Sequence, residues 1–385
     1  MILPGATLGL LGGGQLGLMF TIAARTMGYR VIVHDPDADS PAATFANEHI
    51  CAPLDDRAAL NRLGRACAAI TTEFENIPAD SLSYLTQLCP VRPGAGAVAV
   101  AQDRIREKRF LSDNGFETAR FAEVHSHMGL EAALQKIGTP ALLKASRFGY
   151  DGKSQGAVDS PEEAFAVFDQ LGGQPCVLEE RLHLVTEISA VVARGTDGKT
   201  AAYPVAENRH KRGILDISIV PAQVTPGLAG RATAAARAIA GKLDYCGVLA
   251  VEFFVLENGH LVINEIAPRP HNSGHYTLDA CITSQFEQQV RAMCGLPLGD
   301  TRLLTPAVMV NLLGDLWRKG VQPPWAAVLN EPQAKLHLYG KREARPGRKM
   351  GHYTCLGDSV EEALKRAHAI QDSLKQGSGS AFHTG

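Results

Sequence analysis

The stretch that most limits what this chain can fold into is Val251 to His275, VEFFVLENGHLVINEIAPRPHNSGH. Two short apolar strands, through Val251 to Leu256 and His260 to Ile263, flank Glu257-Asn258-Gly259, a hairpin turn with an Asn-Gly core. Antiparallel pairing brings Glu252 near Glu265. Carboxylates converging from neighbouring strands repel each other unless a cation sits between them. Hard oxygen donors beside the polar Asn264 suit magnesium, which prefers a few carboxylates plus phosphate oxygens, so the hairpin points to a nucleotide site. A pair of exposed strand ends is the bland alternative.

The segment after Glu265, Ala-Pro-Arg-Pro-His-Asn-Ser-Gly-His, is too polar and too broken by Pro and Gly to continue the strand, yet the hairpin aims it at the same place. A loop carrying Arg269, His271 and His275 beside a carboxylate pair looks like a ligand loop. His271 and His275 have the i, i+4 spacing of a zinc pair, but that spacing shares a face only in a helix. Asn-Ser-Gly between prolines and a glycine does not favour one.

In chain order, Ala6 to Leu11 reads as a buried strand, Gly12 to Gly17 as a tight turn, and Leu18 to Met27 as a helix stopped by Gly28. Val31 to Val33 is a second strand ending at His34-Asp35-Pro36. The loop matches G-x-G-x-x-G with an acid about 18 residues on, the dinucleotide fingerprint; the same N–H groups can serve any phosphate, and close strand–helix packing is a third use for the glycines. A helix at Asp56 to Cys67 and a strand at Ala69 to Thr72 follow. That strand ends in Thr71-Thr72-Glu73-Phe74-Glu75-Asn76, at the sheet edge where ligands bind, although Glu73 and Glu75 can equally be solvated. Pro90 to Gly96 reads as a linker, and Asp103 to Asn114 as a charged helix carrying Arg104 and Lys108.

A smaller unit spans roughly 115–190. Pro140 to Ala145 is a strand ending on Lys144, and Gly149 to Gln155 forms a Gly-containing loop with Lys153 that can close over polyphosphate, while Lys144 meets inner phosphates as a point charge. The Walker A spacing is absent. Ser160-Pro161-Glu162-Glu163 caps a helix, and the strand Cys176 to Glu180 ends in Glu179-Glu180-Arg181-Leu182, which offers polar groups to a planar base and ribose. Strands Glu187 to Arg194 and Thr200 to Val205 lead to Glu207 to Arg212, a basic run read as a solvated turn containing His210. Ala229 to Leu243 and Ser284 to Cys294 are helices. The last third is mixed β, with a cation cluster at Lys341 to His352 that reads as a solvated hairpin or an anion clamp, and a frayed tail from about Gln376.

With 385 residues, 45% hydrophobic and 20% charged, the chain has globular composition and room for two or three domains. A net charge of -2 argues against general binding to nucleic acid or membranes. Eight scattered cysteines without a C-x-x-C pair read as reduced thiols of a cytoplasmic protein, and neither an export leader nor a spanning segment is evident.

The motifs GGGQLG, TTEFEN, GYDGKSQ, VEFF with INEIAPRPHNSGH, and RPGRKMGH, in this order over nearly the whole chain, resemble the ATP-grasp superfamily and, within it, the 5-(carboxyamino)imidazole ribonucleotide synthase family. The resemblance implies an α/β and α+β chain: an N-terminal Rossmann-like domain (1–100), an ATP-grasp domain (101–305) with its lid subdomain at about 115–190, and a small C-terminal β-rich domain (306–385). It places ATP between two antiparallel sheets, on Arg104, Lys144, Gly149, Tyr150, Asp151, Gly152, Lys153, Ser154, Gln155, Glu179, Glu180, Arg181, Leu182, Glu187, His210, Asn264 and Glu265. Magnesium, with manganese as a substitute, falls to Glu252 and Glu265. The ribonucleotide substrate falls to Gly14, Gln15, Leu16, Glu73, Tyr150, Asp151, His271, Lys341 and Arg348, and catalysis to Arg269, His271, Asp151 and Lys144, with His271 or Asp151 as the base.

The implied reaction takes ATP, bicarbonate and 5-aminoimidazole ribonucleotide to the N-carboxylated amine, ADP and phosphate by way of carboxyphosphate. A homodimer is implied, and the apolar Ala307 to Leu313 is compatible with one. The alternatives are another ATP-grasp ligase, such as a glycinamide ribonucleotide transformylase, or a nicotinamide oxidoreductase resting on Gly12 to Gly17 and Asp35 alone. The chain departs from the family's usual GYDGKGQ at Ser154, where a positive φ would cost a non-glycine residue about 1 kcal/mol.

Overall fold

Strand and helix alternate through the first hundred residues because short β-branched runs are separated by glycine turns and capped helices. The structure, a computed structural model, describes residues 1–147, 149, 154–317 and 321–377. Strand β1 (Thr7–Leu11), helix α1 (Gln15–Thr26), β2 (Arg30–His34), β3 (Glu48–Ile50), α2 (Arg57–Ala66) and β4 (Ala69–Thr72) make a parallel sheet in the order β3-β2-β1-β4. Asp56 caps α2 by accepting from the Ala59 N–H at 2.9 Å. Helices α3 (Ala79–Leu85) and α4 (Ala95–Ala101) follow. The Pro90 segment between them is no linker: Ile70 N–H donates to Pro90 O and Arg92 N–H to Ile70 O, both at 2.9 Å. It satisfies the free edge of β4, which a buried strand cannot leave open.

The second unit contains α5 (Arg104–Asp113), β5 (Phe121–Val124), α6 (His127–Ile137), β6 (Ala141–Ala145), β7 (Gln155–Val158), α7 (Pro161–Gln170) and β8 (Cys176–Glu180). Its strands form an antiparallel sheet in the order β5-β8-β6-β7. At the start of α7 the Ser160 hydroxyl accepts from the Glu163 N–H at 3.2 Å, and Glu163 in turn accepts from the Asp159 N–H at 2.8 Å.

The remainder comprises β9 (Leu184–Arg194), β10 (Thr200–Ala202), β11 (Ala206–Lys211), β12 (Ile214–Val220), α8 (Pro226–Lys242), β13 (Gly247–Leu256), β14 (Leu261–Ala267), α9 (Thr277–Ala280), α10 (Gln285–Met293), β15 (Ala307–Leu313), α11 (Ala326–Leu329), β16 (Ala334–Leu338), β17 (Lys349–Leu356) and α12 (Val360–Gly377). One sheet runs β14-β13-β9-β11-β12-β15-β17-β16, with β10 paired to β9, so the C-terminal strands extend the same sheet that carries the hairpin. The basic run at 207–212 is mostly strand β11 rather than a turn; the reversal comes one residue later, where Arg212 and Gly213 have φ of 53° and 76°. Ala307 to Leu313 is the interior strand β15, buried between β12 and β17, so its apolar character is used inside the sheet and not at a dimer surface. Helix α12 covers that end, with Ala363, Ala367, Ile370 and Leu374 packed on Val308, Val310, Tyr353 and Cys355. The frayed tail expected beyond it lies outside the described residues.

The long apolar run of β13 follows from burial on both faces. Leu249, Val251, Phe253 and Val255 pack under α8 with Leu228, Ala232, Ala236 and Ile239. Val248 and Ala250 face the other way, onto Tyr276 and Ala280. That second cover ends before Glu252 and Phe254, which therefore open onto a cleft. The loop leading to the cover is tied to β15 by a reciprocal amide pair: Asn272 Nδ2 donates to Asn311 Oδ1 at 3.0 Å and Asn311 Nδ2 to Asn272 Oδ1 at 2.7 Å. Both side chains are buried. Asn311→Ala strands the Asn272 amide and is expected to cost about 1–3 kcal/mol in urea unfolding. Adding Asn272→Ala should cost much less than it does alone, because both substitutions remove the same pair.

Candidate active site

The hairpin forms as its turn requires, and Glu252 stands directly opposite Glu265 across β13 and β14. The next pair is Phe253 with Ile263, so Asn264 is an extra residue on β14. This β-bulge re-aims the strand: simple alternation would turn Asn264 away from Glu265, whereas both line the cleft. Groups left over by the bulge are taken up from α5 and the segment after it. Lys108 Nζ donates to Asn264 O at 3.1 Å, Thr118 Oγ1 donates to Ile263 O at 3.1 Å, and Glu107 accepts from the Ile266 N–H. Burial, and then the nearby Glu265 charge, push Glu252 up to about 7. The same two causes push Glu107 up to about 8. Such a pair of opposed carboxylates on the wall of a cleft is the donor set that a divalent cation fits.

Facing this wall is Lys144 at the end of β6. Its Nζ lies 2.9 Å from Glu179 Oε2, and Lys108 Nζ lies 3.6 Å from the other oxygen. Burial works to raise the Glu179 carboxyl, but the two lysines outweigh it and hold it near 2. The Glu179 side chain is thus turned inward as the counter-charge of Lys144, which corrects the expectation that it faces the base. Glu180 pairs with Arg120 at 2.8 Å and Arg181 with Asp159 at 2.9 Å. None of Glu179, Glu180, Arg181 or Leu182 lines the cleft.

Arg104, Gly149, Gln155, Glu187 and His210 do line it. The Arg104 guanidinium lies against Gly149, where a Cβ would come within 2.6 Å of Nη1, and its Nη2 is 3.8 Å from Glu265 Oε2. A second bulge shifts the register between Arg209 and His210, and His210 Nδ1 lies 3.1 Å from Glu187 Oε2. Burial opposes a charge on His210, yet Glu187 raises it overall. Ser154 has φ of 61°, the left-handed conformation that glycine adopts more easily. The expected roles of Tyr150, Asp151, Gly152 and Lys153 fall on residues outside the described ones.

The loop after Glu265 holds Arg269 by a double ion pair with Glu75, 2.5 Å from Nε and 3.4 Å from Nη2. Burial favours the neutral form of Glu75, but Arg269 keeps it below the usual range. His271 and His275 diverge. His271 Nε2 is 3.2 Å from Glu252 Oε1, while His275 Nδ1 meets Gln285 Nε2 at 3.2 Å and its ring packs on His352. Burial and then Arg269 hold the His271 ring neutral.

At the far end of the cleft lie Gln15, Leu16, Glu73, Lys341 and Arg348. The glycine turn is already engaged by carboxylates: Glu73 Oε2 accepts from the Gly17 N–H at 2.6 Å and Asp35 Oδ2 from the Gly13 N–H at 2.7 Å. A Cβ on Gly14 would meet Glu73 Oε1 at 2.2 Å, so this glycine packs against the acid and does not line the cavity. Burial pushes Glu73 up to about 7. The cation cluster is the long loop of the β16–β17 hairpin running into the start of β17, and it brings Arg345 and Lys349 into the cleft as well.

The whole cleft measures about 930 Å³. Sequence reasoning missed Glu107, Leu142, Phe254, Asn272, Arg345 and Lys349 along it. The RPGRKMGH motif did contain a signal for Arg345 and Lys349; apolar Leu142 and Phe254 carried none. Away from the cleft, Asp279, His337 and His352 bring ligand atoms within 4.8 Å of one another. The two rings stack at 4.5 Å and 13°, and a metal must lie in the plane of each imidazole it binds, so this cluster is packing of α9 on β16 and β17. Among the described residues no helix is long and apolar enough to cross a membrane.

Three family models match in series: the ribonucleotide synthetase preATP-grasp domain over 5–102, the ATP-grasp domain over 109–286, and the phosphoribosylaminoimidazole carboxylase C-terminal domain over 307–366. The chain is 44% identical over 365 residues to the N5-carboxyaminoimidazole ribonucleotide synthase of Bacillus subtilis, covering 95% of each. It superposes with a TM-score of 0.91 and 41% identity on an ADP complex of an N5-carboxyaminoimidazole ribonucleotide synthetase, over 98% of this chain and 99% of that one. The Aspergillus clavatus enzyme in complex with ADP and 5-aminoimidazole ribonucleotide gives a TM-score of 0.89 at 28% identity, over 96% and 99%. The chain belongs to the N5-carboxyaminoimidazole ribonucleotide synthase family of ATP-grasp enzymes.

Proposed function

We propose that this cleft carboxylates 5-aminoimidazole ribonucleotide at the expense of ATP and bicarbonate, a step of purine biosynthesis. The observation that carries the proposal is the continuity of one cavity from the Glu252/Glu265 pair and Lys144 to the cations Lys341 and Arg348. A nucleoside triphosphate and a phosphorylated acceptor can lie end to end in it. The Aspergillus clavatus complex, with ADP and 5-aminoimidazole ribonucleotide bound together, supports the same division.

Glu252 and Glu265 would hold magnesium, or manganese in its place, with Asn264 beside it. A cation bound there offsets charge on the phosphoryl oxygens of ATP. Lys144, kept charged and oriented by Glu179, meets the inner phosphates, and Arg104 closes the same side against Gly149. Glu187 and His210 lie where the nucleoside would be held. Arg269, locked by Glu75, presents a fixed cation to the bicarbonate-derived group. At the other end the turn donors of Gly13 and Gly17 are committed to Asp35 and Glu73, so the substrate phosphate depends on Lys341 and Arg348, with Gln15 and Leu16 beside them and Glu73 placed for the ribose or aminoimidazole. A homodimer and a cytoplasmic location belong to the same proposal on the family resemblance, and all eight cysteines being free thiols agrees with the latter.

Phosphate release from Mg-ATP and bicarbonate should rise on adding 5-aminoimidazole ribonucleotide and fall at least about 100-fold in Glu265→Gln. Release that ignores the ribonucleotide would overturn the acceptor. Arg348→Ala should raise KM for the ribonucleotide about 10-fold, the worth of one charge-assisted contact, with little change in KM for ATP; an unchanged ribonucleotide KM would remove the clamp. Glu179 titrates lower in the folded chain than its ordinary 4.5, so it contributes stability above that pH which is lost as pH falls towards 2. Glu179→Gln should therefore flatten the acid limb of the stability profile while raising KM for ATP.

A further inference from the structure

The hydrogen bonds around His271 run in one direction. The Ser273 backbone N–H, which can only donate, points at His271 Nδ1 from 3.3 Å. The Ser273 hydroxyl lies 2.8 Å from the same nitrogen. That hydroxyl oxygen already accepts from Ser189 Oγ at 2.7 Å, which leaves its own proton for Nδ1. Nδ1 is therefore an acceptor on two counts, and in the neutral ring the proton must sit on Nε2. Nε2 faces Glu252 Oε1 at 3.2 Å.

The chain of contacts closes on itself. Ser189 is the direct partner of Glu252 across β9 and β13, so the relay starts and ends on two side chains that share one face of the sheet. Ser189 and Ser273 are essentially inaccessible to solvent, at 1% and 0%. Gln285 fixes the ring's backbone from both sides, accepting from the His271 N–H at 2.9 Å and donating to its carbonyl at 2.7 Å. Neither hydroxyl has water as an alternative partner, so a reversed tautomer would turn its Nδ1 proton onto the buried Ser273 N–H.

We propose that His271 is a positioning residue for Glu252, locked as the Nε2–H tautomer by the Ser189–Ser273 hydroxyl relay, and is not the base of the reaction. Its Nδ1 is filled by two donors and its Nε2 already carries a proton, so neither nitrogen is open to receive one. The imidazole engages Oε1 of Glu252, and Glu252 with Glu265 would hold the cation. This is the ligand-orienting role that outer-shell groups play around metals, here delivered by a histidine that holds a carboxylate. It rests on the metal role proposed above for Glu252.

Two measurements on the full-length enzyme separate the relay from that metal role. The first is nitrogen NMR of 15N-histidine-labelled protein without metal, with the His271 signals assigned from His271→Gln. A bare Nδ1 and a protonated Nε2 are expected, with the other tautomer gaining population in Ser273→Ala, where only the backbone N–H still donates to Nδ1. A protonated Nδ1 in the wild type would overturn the proposal whatever the enzyme's substrate. The second is Mn2+ binding in the presence of ADP, followed by electron paramagnetic resonance. Ser273→Ala should weaken it about 10-fold, the usual scale for an outer-shell group, and Ser189→Ala should add little on top because both act through the same nitrogen. Additive losses would instead mean separate packing defects. In turnover, His271→Gln keeps a donor for Glu252 and should fall far less than His271→Ala; equal losses would restore the base. Should Mn2+ fail to bind the wild type, the metal role of Glu252 fails, while the tautomer measurement still decides the relay.

Discussion

Everything in this cleft is arranged around two carboxylates that repel each other. Glu252 and Glu265 face one another across a hairpin, and at the roughly 5 Å general to directly opposed strand residues, with an effective dielectric of about 20, two unit charges cost about 3 kcal/mol. Arg104, 3.8 Å from Glu265, offsets part of that, and a proton on Glu252 would remove it. A strand pair that only had to be stable would not keep such a pair directly opposed on one cleft wall. The cost is tolerated because the bulge at Asn264 aims both acids and the amide at one point, and because Lys108, Thr118 and Glu107 satisfy the backbone the bulge disturbs.

The rest of the chain supplies what that wall lacks. The lid contributes Lys144, which can remain charged indoors because Glu179 sits behind it, with Lys108 sharing the same carboxylate. The N-terminal domain contributes Glu75, which holds Arg269 of the loop that leaves the hairpin. The C-terminal strands hold the same loop from the opposite side through Asn311 and Asn272. The N-terminal domain and the C-terminal strands thus meet on the eight residues after β14, Pro268 to His275, and their placement is fixed by buried polar contacts rather than by apolar packing alone.

The hairpin and its opposed acids were legible from Glu252, the Asn-Gly turn and Glu265, because turn chemistry fixes register. The capping of α7 and the strands β6 and β8 were legible for the same local reason. What escaped was decided at a distance. The run at 207–212 resembles a turn by charge, and only pairing with β9 and β12 makes it a strand. The Pro90 segment looks like a linker until the open edge of β4 claims its carbonyl. Ala307 to Leu313 looks like a surface for a partner, and the sheet's continuation past β12 buries it. Glu179 ends a strand as a surface acid would, and nothing local shows that two lysines far apart in sequence converge on it.

The glycine turn at Gly12 to Gly17 shows how a motif can be physically intact and yet serve another end. Its strand, its positive φ at Gly12 and its helix are those of a dinucleotide site. The two donors measured there are nevertheless taken by carboxylates of the chain itself, Glu73 on Gly17 and Asp35 on Gly13. A pyrophosphate would have to displace both and then face their charges, which cancels the attraction that a helix N-terminus offers an anion. The turn instead fixes Glu73 at the cleft wall, close-packed by glycines that leave no room for a side chain. The cations that line the cavity near this acid are Lys341 and Arg348, supplied by the C-terminal β16–β17 hairpin and not by the turn. The same sequence pattern, which in a dehydrogenase would grip a cofactor by its phosphates, here commits its donors to holding two acids of its own chain.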